Sequence, residues 1–169
     1  MPADRPYVAV VGGGTAERRV DEAAEAVGRG LARRGAVVVC GGLGGVMEAA
    51  CRGARAEGGT TLGILPGVDR RDANPFVDVA VPTGMGEARN ALVVRAADAV
   101  VAVAGEFGTL SEIAFALRLD KPVVGLWTWE LARAGQAVDA IVRVEDPDHA
   151  AERAVALART RSGAAPEPN

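Results

Sequence analysis

The residues that most directly suggest chemistry are a carboxylate and the glycine turn just before it. The apolar run Ala99–Val103 predicts a buried strand, and Gly105 and Gly108 predict a tight turn after it. A helix is then expected to begin at Thr109. The free N–H groups and the dipole of a helix N-terminus favour an anion, so this turn predicts a phosphate site with the Glu112 carboxylate beside it.

A purely structural role for Glu112 explains the same sequence equally well. Thr109 is a suitable N-cap residue, and an acidic residue three positions later completes a capping box. In that arrangement Glu112 only satisfies the N-terminus of its own helix. This stretch taken alone leaves both alternatives open.

Two further glycine loops follow strands earlier in the chain. The first comes after the apolar run Tyr7–Gly12, and the second comes after Ala36–Cys40. Tight strand-to-helix turns need glycine for steric reasons alone, so each loop by itself is weak evidence for a ligand. Three such loops at one edge of a sheet indicate a phosphate-bearing ligand. The predicted ligand-binding residues are Gly12, Gly13, Gly14, Thr15, Gly41, Gly42, Gly44, Gly45, Gly105, Glu106, Gly108 and Thr109.

Strands and helices alternate along the sequence, which predicts a single-domain α/β protein with a Rossmann-like, doubly wound, mostly parallel sheet and helices on both faces. The domain is expected to span residues 1–161, followed by a disordered tail over residues 162–169. Ligands of such folds bind at the carboxyl ends of the strands, where the strand order reverses. The three strands before the glycine loops are expected to be neighbours there, so that the loops form one site.

The predicted elements follow from apolar periodicity and from glycine and proline positions. A short strand over Phe76–Val81 is expected at the sheet edge, Pro66–Pro75 is expected to be a loop that could act as a lid, and Trp127–Gly135 is expected to be irregular or helical. The other predicted strands are Tyr7–Gly12, Ala36–Cys40, Thr60–Leu65, Ala99–Val103, Val123–Leu126 and Ala140–Val144. The predicted helices are Ala16–Arg34, Val46–Glu57, Gly84–Ala97, Thr109–Leu119 and Pro147–Thr160.

The bulk composition excludes several classes of function. The net charge of −3 argues against a nucleic-acid-binding surface, and no apolar run approaches the length of a membrane span. His149 is the only histidine, so a Ser-His-Asp or Cys-His nucleophile system has no base, and a zinc site lacks its ligands. Cys40 and Cys51 do not form a C-x-x-C pair. Because the first strand begins by Tyr7 and leaves no room for a signal peptide, we expect a cytoplasmic protein with reduced thiols and no metal site.

Two common nucleotide-binding motifs are absent from the sequence. Gly12 and Gly14 fit the start of G-x-G-x-x-G, but Glu17 occupies the position of the third glycine. The second strand ends at Cys40, where an acidic residue would be needed to hold a ribose. The motif G-x-x-x-x-G-K-[ST] does not occur either, so neither a dinucleotide dehydrogenase nor a P-loop nucleoside triphosphatase is predicted.

Three segments resemble the motifs of the LOG family, long described as possible lysine decarboxylases. The segment Gly105–Glu112 resembles the signature P-G-G-x-G-T-x-x-E, and the three motifs are specific together and less so singly. Gly84–Asn90 lies where that family has M-x-x-R-K, and Cys40–Met47 lies where it has G-G-G-x-x-G-x-M. The likeness covers most of the chain, from about Tyr7 to about Trp127.

The resemblance implies an activity and a site. LOG enzymes are phosphoribohydrolases that cleave the N-glycosidic bond of a cytokinin nucleoside 5′-monophosphate and release the base. Carried onto this sequence, the family's catalytic residues are Arg89 and Glu112. Glu112 would orient water and stabilise the cationic ribose, and Arg89 would hold phosphate or ribose oxygens. Apart from the resemblance, a solvated helix residue paired with Glu87 is the simpler interpretation of Arg89.

Departures from the LOG signature point to a sister branch. Ala104 replaces the proline, Glu106 replaces the second glycine, and Asn90 replaces the lysine that follows the arginine. The Glu106 carboxylate would repel a phosphate unless a cation intervened. The pair Arg89–Asn90 and the second glycine loop look closer to the branch that resembles molybdenum cofactor carrier proteins, which bind a phosphate-bearing pterin without turning it over. We therefore expect no obligatory cofactor, and a bound nucleotide or molybdenum cofactor as the ligand.

Lysine decarboxylation itself is not supported. A pyridoxal enzyme of that type needs a Schiff-base lysine, and the only lysine of the chain is Lys121, in a turn between two elements. The alternatives that stay open are a nucleotide phosphoribohydrolase, a pterin carrier and a nucleotide-binding regulator without turnover. The helix Gly84–Ala97 is apolar on more than one face, which, together with the family resemblance, predicts a homodimer or a larger homo-oligomer.

Overall fold

The structure, a computed structural model, describes residues 5–162, and in that part of the chain nine strands and five α-helices alternate. The strands are β1 (Tyr7–Gly12), β2 (Val37–Cys40), β3 (Thr60–Leu65), β4 (Val79–Pro82), β5 (Ala99–Val103), β6 (Val123–Leu126), β7 (Leu131–Arg133), β8 (Gln136–Val138) and β9 (Ile141–Val144). The helices are α1 (Arg18–Arg33), α2 (Val46–Ala56), α3 (Asn90–Ala96), α4 (Phe107–Arg118) and α5 (Pro147–Ser162).

Seven of the strands form one parallel sheet in the order β4-β3-β2-β1-β5-β6-β9. The order reverses between β1 and β5, which makes this a doubly wound α/β fold of the Rossmann type, as predicted. The strands that precede the three glycine loops are β2, β1 and β5, and they lie side by side. Their carboxyl ends therefore meet at the point of reversal.

Helices cover both faces of the sheet, because the side chains of each central strand alternate between two apolar layers. Val8 and Val10 of β1 pack into the layer formed with α1, α2 and α5. Ala9 and Val11 pack into the layer formed with α3 and α4. All four side chains are almost completely buried, which explains why the strands read as continuous runs of small apolar residues.

Helices α1 and α2 approach each other more closely than side chains would allow. A Cβ atom on Gly28 would lie 2.0 Å from the carbonyl oxygen of Ala50, and one on Gly53 would lie 2.0 Å from the carbonyl oxygen of Glu25. The Arg52 guanidinium donates to the Glu25 carboxylate at 2.7 Å across the same contact. These two helices therefore touch backbone to backbone.

The predicted helix Gly84–Ala97 is wrong in its first half. Gly84 and Gly86 have φ values of 65° and 57°, which are outside the right-handed helical region. A short 3-10 turn over Gly86–Arg89 follows, and only at Asn90 does the α-helix α3 begin. Arg89 is thus the last residue of a 3-10 turn directly before α3 and does not lie in the middle of a helix.

The segment Trp127–Gly135, expected to be irregular or helical, contains the first strand of a hairpin. Strands β7 and β8 pair antiparallel through a two-residue turn made by Ala134 and Gly135. Both turn residues have positive φ, 51° and 79°, as the favoured two-residue hairpin turns require. Alanine rarely adopts this conformation, so the sequence carried little signal for the turn.

The remaining predictions concern the ends of the chain and the connection to β4. β4 begins at Val79 instead of Phe76 and lies at the sheet edge, as expected. The predicted domain limits of 1–161 stay a prediction, and residues 163–169 of the predicted tail lie outside the described residues. No helix within residues 5–162 is long and apolar enough to cross a membrane.

Candidate functional site

A cavity of about 300 Å³ lies at the carboxyl ends of β2, β1 and β5, where the strand order reverses. Its walls come from the three glycine loops, from the 3-10 turn before α3 and from the first two turns of α4. The residues that line it are Val10, Val11, Gly12, Gly13, Gly14, Gly41, Leu43, Met47, Pro66, Glu87, Arg89, Asn90, Glu106, Gly108, Thr109 and Glu112.

The structure brings most of the predicted site residues to this cavity. Nine of the fourteen line it: Gly12, Gly13, Gly14, Gly41, Arg89, Glu106, Gly108, Thr109 and Glu112. Thr15, Gly42, Gly44, Gly45 and Gly105 belong to the same loops but do not line the cavity.

Several of the loop glycines are required by packing and not by a ligand. A Cβ atom on Gly12 would lie 2.6 Å from the Val46 side chain. Gly45 and Gly105 have φ values of 64° and 104°, and a Cβ atom there would lie 2.3 Å from the Gly13 carbonyl oxygen and 2.4 Å from the Thr109 hydroxyl, respectively. For these three positions the steric explanation is sufficient.

Gly14 and Gly108 are different, because a Cβ atom at either would meet nothing within 4 Å. Neither has a positive φ, so the backbone conformation does not require glycine either. Both line the cavity, from opposite sides of the point of reversal. They are the two places where a ligand could approach the bare backbone.

Helix α4 begins at Phe107, so the predicted start at Thr109 and the predicted capping box are wrong. Glu106 is the N-cap residue, and no side chain caps the helix. Thr109 lies inside the first turn, where it is buried against Gly105. The first bond of the helix runs from the Leu110 N–H to the Glu106 carbonyl at 3.0 Å, which leaves the N–H groups of residues 107–109 without a helical partner.

Arg89 is buried, with 8% of its surface exposed, and it forms no ion pair with any described residue. Its Nη1 donates to the Asn90 side chain and its Nη2 donates to the Gly41 carbonyl at 3.4 Å. Its Nε is buried and has no partner in the described part of the chain. A Cβ atom on Gly41 would lie 2.5 Å from Nη2, so glycine is needed there for the guanidinium to fit.

Glu112 is 7% exposed, and nothing in the described chain bonds to its carboxylate. It does not cap its own helix, which removes the structural explanation for its position. Burial raises its pKa to about 7, and the nearby positive charge of Arg89 opposes that rise. Burial also lowers the pKa of Arg89, which the negative charge of Glu112 partly restores.

Charge at the cavity is unbalanced. Arg89 is the cation of the lining, whereas Glu87, Glu106 and Glu112 supply three carboxylates. Glu87 and Glu106 are exposed at the rim, where water screens them, and Glu112 is half protonated near neutral pH. The cavity therefore accepts an anion more readily when Glu112 is neutral.

Seven lining residues were not predicted: Val10, Val11, Leu43, Met47, Pro66, Glu87 and Asn90. Asn90 and Glu87 flank Arg89 in a tight turn, so their proximity to Arg89 in sequence was the available signal. Asn90 takes the place of a lysine in the LOG motif, and here its side-chain oxygen accepts a hydrogen bond from Arg89. The apolar residues carried no signal that separates a cavity wall from the core.

The described residues do not provide a Schiff-base lysine at this cavity or a cluster of metal ligands. Lys121 donates its Nζ protons to the carbonyls of Val94, Arg95 and Ala97, away from the cavity, so it is not placed to form a Schiff base. Among residues 5–162, no group of three or more His, Cys, Asp or Glu side chains is arranged to hold a metal ion.

The fold and the cavity define a Rossmann-like α/β protein with a cavity at the point of strand reversal. Residues 5–151 match the SLOG cluster4 family, and the chain belongs to that family. The resemblance to LOG proteins, closest to the branch of molybdenum cofactor carriers, is thereby confirmed.

Three relatives illustrate the relationship. An uncharacterized protein of Archaeoglobus fulgidus is 42% identical over 120 residues, which are 70% of this chain and 78% of that protein. The structure of the molybdenum cofactor binding protein from Rippkaea orientalis has a TM-score of 0.81 and 34% identity, covering 88% of this chain and 94% of that one. The molybdenum cofactor carrier protein of Chlamydomonas reinhardtii has a TM-score of 0.79 and 31% identity, covering 90% of this chain and 98% of that one.

Proposed function

We propose that this protein binds a phosphate-bearing pterin of the molybdenum cofactor type and carries it without turnover. The observation that carries the proposal is the cavity beside the start of α4, where the N–H groups of residues 107–109 have no helical partner and the buried Arg89 forms part of the wall. The similarity to proteins that bind or carry this cofactor supports the choice of ligand.

The residues of the cavity fit such a ligand. The phosphate would accept hydrogen bonds from the N–H groups of residues 107–109, where the dipole of α4 adds a favourable field. Gly14, opposite, leaves room for the ligand against the backbone. The buried Nε of Arg89 would donate to a ligand oxygen and gain the partner that it lacks. A cavity of about 300 Å³ is at the small end of the range for ligand sites, so part of the ligand would extend past the rim.

Hydrolysis of a nucleoside 5′-monophosphate is the second candidate, and the environment of Glu112 favours it. A carboxylate whose pKa is raised to about 7 is matched to general acid–base work at neutral pH. The ionised form would orient a water molecule toward the anomeric carbon and stabilise the cationic ribose as the base departs. Arg89 would hold the phosphate or ribose oxygens, as its counterpart does in the LOG family.

One experiment separates the two candidates. The purified protein is incubated with a panel of nucleoside 5′-monophosphates, and released base is followed by chromatography, with Glu112→Gln as the test variant. Glu130→Gln is the control, because Glu130 is an exposed carboxylate paired with Arg143 outside the cavity. Base release that Glu112→Gln abolishes and Glu130→Gln retains would establish the hydrolase.

The carrier function predicts no base release from any nucleotide of the panel. It also predicts a pterin that co-purifies with the protein at up to one equivalent per cavity, detected by fluorescence after oxidation. Absence of a bound pterin together with failure to bind one in titration would contradict the carrier function.

The proposal also covers the class of partner, the location and the oligomeric state of the protein. A small ligand, rather than nucleic acid, suits a cavity of this size and a net charge of −3. We propose a cytoplasmic location, which agrees with free thiols at Cys40 and Cys51, whose sulfur atoms share a hydrogen bond at 3.4 Å and form no disulfide. We also propose a homodimer or larger homo-oligomer, supported by the exposed apolar side chains Met85, Val79 and Val81 near the 3-10 turn and the sheet edge.

A further inference from the structure

The segment 66–75, expected from the sequence to be a loop that could act as a lid, is attached to the second glycine loop by hydrogen bonds. Its residue Asn74 is one of the few polar side chains buried in the described chain, with 8% exposed. A buried carboxamide must find hydrogen-bond partners within the protein, because each unsatisfied polar group costs stability. Two of the partners of Asn74 belong to the second glycine loop, and one of these, Leu43, lines the cavity.

Three hydrogen bonds define the arrangement. The Asn74 backbone N–H donates to the Gly42 carbonyl at 2.8 Å, and its Nδ2 donates to the Leu43 carbonyl at 2.9 Å. Its Oδ1 accepts from the Phe76 N–H at 3.0 Å, which orients the carboxamide. Two consecutive carbonyl groups of the glycine loop are thus held by one residue from a distant part of the chain.

The loop in turn holds Arg89. Gly41 directly precedes the two clamped residues, and its carbonyl accepts from the Arg89 guanidinium at 3.4 Å. The space for that guanidinium exists only because Gly41 has no Cβ atom, so a small displacement of the loop changes where the charge can lie. The position of the Arg89 charge then affects Glu112, whose pKa it lowers.

We propose that Asn74 is a positioning residue of this site: it fixes the loop of residues 41–43 and, through the Gly41 carbonyl, the guanidinium of Arg89. Asn74 touches neither the proposed ligand nor the reacting atoms, because it does not line the cavity. This inference rests on the proposed function and deepens it, since it explains how the single arginine of the proposed anion site is held in position.

The test uses Asn74→Leu, which keeps the side-chain volume and the backbone bond to Gly42 but removes the side-chain bonds to Leu43, Phe76 and Cys51. Thr61→Val is the matched control, because it also removes buried hydrogen bonds from this region, including the one to the Phe76 carbonyl at 2.7 Å, without touching the glycine loop. Both variants should lose thermal stability, so stability alone does not distinguish a positioning role.

The distinguishing measurement is the titration of Glu112 in the ligand-free full-length protein, followed by carbon NMR of the carboxyl group and assigned with Glu112→Gln. The other titratable or charged groups near Glu112 are Arg89, Glu87, Glu106 and Cys40, and neither variant replaces any of these residues. A nearby opposite charge lowers a carboxyl pKa by roughly 1–3 units, so losing part of that effect should raise the midpoint by about 0.5 units in Asn74→Leu. Thr61→Val should titrate as wild type does.

A second arm measures inorganic phosphate binding by calorimetry, where Asn74→Leu should bind about tenfold more weakly than wild type. Failure of wild type to bind phosphate would count against the proposed anion site, whereas the NMR titration would still decide the role of Asn74. Asn74→Ala serves as a second variant in case Asn74→Leu does not fold. A Glu112 midpoint that is unchanged in a folded Asn74 variant, or raised equally in Thr61→Val, would overturn the proposal.

Discussion

At the scale of single residues, Glu112 combines nearly complete burial with the absence of any partner for its carboxylate. A structural carboxylate in such a place would be expected to carry an ion pair or a cap, and this one has neither. The neighbouring Arg89 is also buried and only partly satisfied, since its Nε has no acceptor among the described residues. Two buried charged residues without an ion pair line the same cavity, which makes it a candidate for a functional site.

The stability of the protein should fall as pH rises through the range of the Glu112 titration. The folded pKa of about 7 lies above the ordinary value of 4.5, so the folded state retains this proton after the unfolded chain has lost it. The free energy of unfolding contributed by this group is therefore fully present below about pH 4.5 and is lost by pH 7 and above, a change on the order of 3 kcal/mol. Glu112→Gln, which cannot ionise, should lack this slope.

Urea denaturation of both proteins across that pH range measures the difference. The stability of Glu112→Gln relative to wild type should increase between the acidic and the alkaline end of the range. Parallel pH profiles for the two proteins would show that Glu112 ionises at its ordinary pKa and is better solvated than the structure shows.

Glu106 should weaken anion binding without being needed for the fold. Its carboxylate lies at the exposed rim of the cavity, close to the start of α4, where it repels an incoming phosphate. Glu106→Gln should increase the affinity for inorganic phosphate by about threefold at low salt, because an exposed charge contributes roughly 0.5–1 kcal/mol. Titration calorimetry at two salt concentrations tests this, and an affinity that falls would indicate that Glu106 binds a cation or a polar part of the ligand.

At the scale of elements, the glycines of the three loops divide into two groups that substitution should separate. Gly108→Ala adds a methyl group that meets no protein atom, inside a helix that favours alanine by roughly 1 kcal/mol. We expect this variant to be at least as stable as wild type and to lose ligand binding, because the methyl group enters the cavity beside the free N–H groups.

Gly45→Ala is the contrasting substitution. Its Cβ atom would lie 2.3 Å from the Gly13 carbonyl oxygen in a backbone conformation with φ of 64°. This variant should be destabilised by more than about 2 kcal/mol or fail to fold. Melting temperatures and phosphate titrations on both variants test the division, and normal binding by Gly108→Ala would show that the ligand does not approach the N-terminus of α4.

The elements that the sequence could predict are those whose burial is uniform. Strands such as β1 and β5 are apolar throughout because helices cover both of their faces, and that pattern needs no knowledge of the partner strand. The start of α4 was misplaced because a threonine and a glutamate three residues apart resemble a capping box, whereas here Thr109 is buried against Gly105 and Glu112 lines the cavity. A local capping pattern does not produce a cap when tertiary packing places the start of the helix elsewhere.

The sequence predicted that the three glycine loops would meet at one place, and a cavity lies there, but seven of the residues that line it were not predicted. Glycine loops after neighbouring parallel strands determine where a crevice lies, because fold topology brings the loops together. Which glycine faces the cavity depends on the approach of other loops, as the packing of Gly105 against Thr109 shows. The role of Asn74 depends on a contact across 31 positions of the chain, and no local pattern announces such a contact.

At the scale of the whole molecule, the predicted self-association is the property most accessible to test. Met85 is 48% exposed at the 3-10 turn that carries Arg89, so an interface there would lie beside the cavity. We expect light scattering to give the mass of a dimer or a larger oligomer, and we expect Met85→Glu to shift it toward the monomer. Val138→Glu, on the β7–β8 hairpin, is the control, and a monomeric mass for wild type at all concentrations would contradict the prediction.

The backbone contact between α1 and α2 has a consequence for how a ligand enters. Each of these helices follows one of the first two glycine loops, and the Val46 N–H at the start of α2 donates to the Gly13 carbonyl at 3.1 Å. With no side chain between them at Gly28 and Gly53, the helices are already in backbone contact and have no room to move closer together. The gap between the first two glycine loops is therefore not expected to narrow around a ligand. Such a site selects its ligand by fit instead of by closing around it, so binding should follow a single kinetic phase whose rate rises in proportion to ligand concentration.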